Sequence, residues 1–300
     1  TGEKGLRRMS TFDVFMQALV SGIATGAIYA LIAVGVTLVF GVMRIVNFAH
    51  GEFLMLAMYG GYFCWALFGL DPLLALFLVT PALALAGVLF YDAIVRHTLR
   101  APEINQMAVT LGVSLLLHYG VGMLVTGDNL LVQLDRSIES VEIGSVLVFK
   151  SHIVVTAVSV ILIGGLAVLL KATDLGLMMR AVAQSAEGAA LSGIELSRVY
   201  RYVLALGIGT LGVAGPLLVS TIYVTPAVGA LFTLKAFVIV IVGGLGNFSG
   251  AIVGALIVGL AENIAAVWLS GSLAAVVPLA LLIAIMLFKP EGLMNRVAVR

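Results

Sequence analysis

Charge is what this chain has least of. Only 10% of its 300 residues are charged, where an ordinary soluble domain carries about a quarter. Hydrophobic residues make up 62% and mean hydropathy is +1.18. A soluble domain needs a wetted polar surface, so the composition excludes an ordinary soluble enzyme. Sixteen basic residues against fifteen acidic ones leave a net charge of +1, which offers no footprint for nucleic acid or another polyanion. The single cysteine, Cys64, excludes a disulfide framework and a cysteine-based metal site. Prolines are few, seven against thirty-four glycines, a balance that suits close helix packing in a membrane rather than disorder. Two motifs are missing as well. Without G-x-x-x-x-G-K-[ST] the chain cannot cradle ATP in a P-loop, and without H-E-x-x-H a zinc protease has no support.

What is present is long apolar sequence. A membrane helix needs about 20 predominantly apolar residues. Leu73–Val95, Asn105–Thr126, Ser151–Leu170 and Tyr202–Tyr223 each supply one. The blocks Phe12–Gly69 and Leu231–Phe288 are each long enough for three. The expectation is an all-α integral membrane protein of about ten helices, some short or broken near Gly41 and Gly243–Gly246. The runs are continuous and do not alternate, so a β-barrel is excluded. Thr1–Arg8 precede Met9 and read as upstream sequence, leaving residues 9–300 as one transmembrane domain. The first apolar run lacks the short length and cleavage site of a signal peptide.

Basic residues collect on the cytoplasmic side of membrane proteins. With ten crossings and an inside start, the inside carries Lys4, Arg7, Arg8, Arg44, Arg96, Arg100, Lys171, Arg180, Arg198, Arg201, Lys289, Arg296 and Arg300. The outside carries Arg136 and Lys150. Both termini are therefore expected to be cytoplasmic, a result that eight crossings would give equally well. Gly127–Lys150 falls outside, with apolar residues spaced like short strands or a cap. Ala172–Arg201 falls inside and is the densest polar run of the chain.

Two segments interrupt the apolar sequence. Asn47-Phe48-Ala49-His50-Gly51-Glu52 puts an amide, an imidazole and a carboxylate between two apolar runs. Polar groups at membrane depth are costly and face a cavity or a partner, and non-helical backbone there must line a cavity or be buried in protein. A pathway lining or hinge is one reading of Asn47, His50, Gly51 and Glu52. A cytoplasmic connection capped by Asn47 or His50 is the other. Gly243-Gly244-Leu245-Gly246-Asn247-Phe248-Ser249-Gly250 holds four glycines in eight residues, each costing a helix about 1 kcal/mol against alanine. It reads as a broken helix whose ends present backbone groups to a solute through Gly243, Gly244, Gly246 and Asn247. Asn47-Phe48 and Asn247-Phe248 lie 200 residues apart, a hint of an internal repeat. Gly22 with Gly26 and Gly250 with Gly254 have the spacing of close helix contacts.

The inside segment predicts a short helix. Met179, Val182, Ala183, Ala186 and Ala190 share one face at helical spacing, and Arg180, Gln184 and Glu187 another. Small residues on a mildly amphipathic helix suit docking into a groove of another protein. A helix lying on the membrane surface would show larger apolar residues and more lysine.

Three stretches carry a resemblance: Asn47 to Glu52, Met179 to Ile194, and Lys235-Ala236-Phe237 running through Gly243–Gly250 to Glu262. In this order and spacing the chain resembles the integral-membrane permease of branched-chain amino acid ABC importers, over essentially everything after Met9. The resemblance implies a multi-pass subunit of the bacterial inner membrane that does no bond chemistry. It implies a second membrane permease subunit, two cytoplasmic ATPases that hold ATP and Mg, and a periplasmic solute-binding protein. Gly127–Lys150 would then be periplasmic. Met179, Arg180, Val182, Ala183, Gln184, Ala186, Glu187, Ala190 and Gly193 would belong to the segment that meets the ATPase. No cofactor or metal is expected on the chain itself. Similar permeases carry urea, short amides or other small polar solutes, so the resemblance fixes the family more firmly than the solute. An ion-coupled secondary transporter is a rival, with Asp92 and Glu262 as its few candidate relays. An intramembrane hydrolase built on Ser249 is another, although His50, His97, His118 and His152 all precede that serine, whereas the rhomboid base follows its own. A membrane scaffold would leave the docking segment unexplained.

Overall fold

A computed structural model describes residues 11–125, 130–132, 139–143 and 146–294. The elements in chain order are α1 (Thr11–Met43), α2 (His50–Phe68), α3 (Pro72–Phe90, prolonged by a π turn Tyr91–Val95 and by Arg96–Thr98), α4 (Glu103–Leu124), β1 (Ser140–Ile143), β2 (Val146–Phe149), α5 (Lys150–Ala172), α6 (Asp174–Gln184), α7 (Ala186–Leu191), α8 (Leu196–Leu218), α9 (Val228–Gly243), α10 (Phe248–Trp268), α11 (Gly271–Ala274) and α12 (Val277–Phe288). Six of them, α1, α3, α4, α5, α8 and α10, are long and apolar enough to cross a membrane. The chain is thus an all-α membrane protein with one small antiparallel hairpin, β1–β2, in which Ser140 stands opposite Phe149.

Local chemistry sets several of the boundaries. Pro72 occupies the first turn of α3, where a missing N–H costs nothing, and Asp71 accepts a hydrogen bond from Leu73 N at 2.8 Å. Thr173 and Ser185 cap α6 and α7 through Gly176 N and Gly188 N.

Burial sorts the helices into layers. In the most apolar stretch of α1, 83% of residues are buried, and in that of α8 78%, against 6% for α4. α1 and α8 are therefore the centre, and α4 faces its surroundings over most of its surface. Small residues make the central contacts possible. Gly22 and Gly26 of α1 lie against the backbone of α10 at Leu260 and Leu256, and Gly87 of α3 lies against Leu204 of α8. No bulkier side chain would let these axes approach so closely.

Helix directions define two ends. Gln17, early in α1, exchanges hydrogen bonds with the Leu147 backbone of β2. Leu38 and Val42, late in α1, share a cleft with Leu170 of α5 and Met179 of α6. α1 and α5 run parallel, from a hairpin end to an α6–α7 end. Leu293 N and Met294 N donate to Val242 O and Gly243 O, so the last described residues sit at the α6–α7 end. Arg44, Arg96, Arg100, Lys171, Arg180, Arg198, Arg201 and Lys289 lie in the connections, the short helix α6 or the terminal turns of helices at that end, whereas Lys150 lies at the hairpin end. The segregation of basic residues thus has a structural counterpart.

Two expectations need correction. The block Phe12–Gly69 folds into two helices rather than three. α1 runs unbroken for 33 residues, about 50 Å at 1.5 Å per residue, through Gly41 where a break was expected. Thr11 consequently lies at the hairpin end and Met294 at the other, so the ends of the described chain do not share a face. The count of basic residues had given weight to Lys4, Arg7 and Arg8, which lie outside the described residues, as do Arg136, Arg296, Arg300 and much of 127–150.

Candidate functional site

After Met43 the chain turns back on itself. Arg44 takes a left-handed conformation (φ 56°), and residues 44–47 have no regular structure. The connection climbs back along α1 until His50 Nε2 reaches Ile32 O at 3.1 Å. Ile32 is eleven residues before Met43, which places His50 about 16 Å along the helix from that end. α2 thus begins inside the protein.

Irregular backbone at such depth must find partners within the protein. Two hydroxyls provide them. Thr110 of α4 accepts from Phe48 N at 3.3 Å and donates towards Val46 O at 3.2 Å. Thr233 of α9 accepts from Gly51 N at 3.0 Å and donates towards Gly229 O at 3.0 Å. Gly51 is required by the crossing of α2 and α9: a Cβ there would run into Gly229 O and Thr233 Oγ1. The Asn47 carboxamide oxygen accepts from Ala49 N at 3.1 Å and shapes the turn. Its Nδ2 and His50 Nδ1 are buried without a partner.

Glu52 is the most exceptional member. Its side chain is 1% exposed. Oε1 accepts from Ser114 Oγ at a long 3.4 Å. Oε2 has no hydrogen-bond partner and lies 3.9 Å from His118 Nδ1, itself unpartnered. Ser114 and His118 belong to α4, and with Gln106 and Thr110 they recur every fourth residue, which puts them on one face. Sequence reading missed this ladder. Its signal was the spacing of four polar residues through an otherwise apolar helix.

The glycine break lies elsewhere. α9 ends at Gly243 and α10 starts at Phe248. Gly244 and Gly246 have φ of 111° and 76°, a region that side chains disfavour. A Cβ on Gly243 would strike Gly250 O, and Gly246 abuts Gly41 of α1. The turn is thus a tight junction at the α6–α7 end. Asn247 caps α10: its Oδ1 accepts from Gly250 N at 2.9 Å and its Nδ2 donates to Met294 O at 2.8 Å. Asn47, His50, Gly51 and Glu52 are therefore brought together, and Gly243, Gly244, Gly246 and Asn247 form a second group. Gly35 touches His50 and Gly41 touches Gly246, six residues apart on α1, or about 9 Å.

The second group borders a cleft of about 260 Å³ whose lining includes Leu38, Lys171, Met179, Arg180, Ala183 and Gly246. The expected single helix here is two, α6 and α7, parted at Ser185. Met179 and Val182 are buried within this chain, as is Ala189, while Ala183 and Ala186 are partly covered. Of the stripe expected to enter a partner's groove, Met179, Val182, Ala183 and Ala186 belong to the inner face and Ala190 does not. Leu177, Arg180, Gln184, Glu187, Ala190, Leu191 and Gly193 are exposed. An amphipathic pattern shows which residues prefer cover, and not which protein covers them.

The two candidate relays are paired. Arg201 clasps Asp92, with Nη2 2.8 Å from Oδ1 and Nε 3.1 Å from Oδ2. Lys235 Nζ lies 2.7 Å from both Glu262 Oε1 and Tyr29 Oη, and Tyr29 donates to Glu262 Oε2 at 2.8 Å. Among the described residues no three His, Cys, Asp or Glu side chains gather as a metal site.

Comparison with known proteins places this architecture. Residues 18–286 match the family described as branched-chain amino acid transport system permease component. The high-affinity branched-chain amino acid transport system permease protein LivH of Salmonella typhimurium is 30% identical over 299 residues, covering 95% of this chain and 97% of its own. LivH of Escherichia coli K12 is 30% identical over 305 residues with the same coverage. BraD of Pseudomonas aeruginosa, a permease protein of the same kind of system, is 28% identical over 94% of this chain and 96% of its own. No solved structure matches the chain.

Proposed function

This chain belongs to the branched-chain amino acid transport system permease family, as a membrane permease subunit of an ABC importer rather than an enzyme, and we propose how its parts divide that work. The observation that carries the reading is coverage. The match runs over residues 18–286, through the first connection, α6–α7 and the glycine break alike. The solute is a branched-chain amino acid, as in the names of the relatives. The ion pairs at Asp92 and Glu262 commit the two carboxylates that the ion-coupled reading relied on as relays, so that reading loses its named candidates.

In this proposal the α6–α7 end is cytoplasmic and the hairpin end periplasmic, in a bacterial inner membrane, because the basic residues gather at the former. The Met294 end is then cytoplasmic and the Thr11 end periplasmic. The six long helices are joined by three shorter ones, α2, α9 and α12. Asn47, His50, Gly51 and Glu52 border the solute's route, shared with a second membrane subunit. Gly243, Gly244, Gly246 and Asn247 hold the cytoplasmic junction over which that route opens and closes. A periplasmic binding protein delivers the solute and two cytoplasmic ATPases, binding ATP and Mg, power the cycle. Coupling uses the exposed face of α6–α7, at Arg180, Gln184, Glu187, Ala190 and Gly193. Met179, Val182, Ala183 and Ala186 pass movement inward, because the cleft joins α6 to Gly41 and Gly246. ATP binding need only favour one arrangement of this contact over the other to shift access.

The test is ATP-driven uptake of radiolabelled leucine into vesicles holding the purified complex with saturating binding protein. Uptake that stops when ATP is withheld supports the importer. Uptake by this chain without ATPase subunits, driven by an ion gradient, would contradict it, and uptake of urea in place of leucine would contradict the solute. Topology has its own check in a Cys64→Ala background. A membrane-impermeant thiol reagent added outside should label Ser140→Cys and spare Ser185→Cys.

A further inference from the structure

We propose that Glu52, with Ser114 and His118 of α4, is a binding site for the ammonium group of the transported solute. The inference rests on the importer reading and adds a chemical role to one seam within it.

A buried carboxylate is stable only when paired or fully hydrogen-bonded. Glu52 is 1% exposed and meets neither condition. Ser114 stands at 3.4 Å from Oε1, beyond a good O–H···O bond. His118 Nδ1, at 3.9 Å from Oε2, is too far to donate. The start of α9 lies against the carboxylate at Gly229, and the positive end of that helix lowers the cost of the charge. It gives Oε2 no hydrogen bond.

The surroundings suit a guest. α4 meets the rest of the chain through its polar ladder, whose bonds from Thr110 and Ser114 are long, and through Val113, Leu117 and Val121, while most of its surface is uncovered. His118 is 28% exposed, so the seam opens towards the outside of the chain beside that ring. A primary ammonium group carries three donors and one positive charge. It would supply Oε2 with the missing bond, neutralise Glu52, and leave one donor for the Ser114 oxygen and one for His118 as a neutral acceptor. The bonds Glu52 makes without it are weak, so the group is held briefly, as transport requires.

The experiment reads charge without relying on transport. In a Cys64→Ala background, Ser114→Cys in the purified complex is reacted with two methanethiosulfonates of similar size, one bearing an ammonium group and one a sulfonate. Attraction by one nearby carboxylate predicts that the ammonium reagent reacts about tenfold faster. Adding Glu52→Gln should bring the two rates together, and leucine delivered by the binding protein should slow the ammonium reagent. Equal rates with Glu52 intact, a preference that survives Glu52→Gln, or no reaction by either reagent with or without ATP would each overturn the site. Failure of leucine uptake by the unmodified complex would instead overturn the importer reading, and the alkylation ratio would still report on Glu52.

Discussion

Two Asn-Phe pairs, Asn47-Phe48 and Asn247-Phe248, each lead into a helix, and the protein uses them in opposite ways. At the first, the chain turns back into the protein and irregular backbone groups that no helix satisfies are met by side chains, Thr110 on one side and Thr233 on the other. Polar side chains accumulate there, and Glu52, Asn47 and His50 each keep an atom unpaired. At the second, the turn stays at one end of the bundle. Glycine backbone does the packing, and both functional atoms of Asn247 are committed, to Gly250 N and Met294 O. Unpaired polar groups at depth are the mark of a place that deals with something passing. Fully paired groups at an end are the mark of a joint. The same dipeptide is compatible with either.

The contrast breaks most visibly at Gly51. A methyl group there meets a carbonyl oxygen and a hydroxyl of α9 with no flexible neighbour to yield. Gly51→Ala should cost about 3 kcal/mol and abolish leucine uptake, seen as a lowered melting temperature of the purified permease and an inactive complex. Glu52→Gln keeps the shape and removes the charge. Maximal uptake should fall about tenfold, equivalent to roughly 1.4 kcal/mol of barrier, with the melting temperature unchanged or raised. Glu187→Arg, on the exposed face of α6–α7, should leave folding intact and lower solute-stimulated ATPase activity about threefold, as charge reversal opposes the partner. The smallest effect is expected at the second turn. Asn247→Ala removes a helix cap worth about 1 kcal/mol, and Asn247→Asp, which retains the accepting oxygen, should recover part of that loss in thermal unfolding.

The sequence showed the all-helical membrane class and the segregation of basic residues, because twenty-residue apolar runs and charge at their ends are local properties. Two helices in place of three between Phe12 and Gly69 were hidden by the same property: an unbroken apolar block has no internal marker of where a helix stops. The stop is made by Arg44 in a left-handed conformation and by Thr110 and Thr233, both distant in sequence. Half of the first site was legible. Asn47, His50, Gly51 and Glu52 stand together in the chain, while Ser114 and His118 join them only once α4 folds alongside α2. The α6–α7 stripe of Met179 and Val182 was legible as a stripe, but its cover turned out to be this chain's own core.

The most direct measurement makes one substitution at both turns. Asn47→Leu and Asn247→Leu, each assembled with its partners and normalised to intact complex, are compared for maximal ATP-driven leucine uptake at saturating binding protein. The account predicts that Asn47→Leu slows uptake about tenfold while Asn247→Leu melts earlier but transports at close to the unmodified rate. Equal slowing by both, or slowing confined to Asn247→Leu, would contradict the division of labour between the two turns.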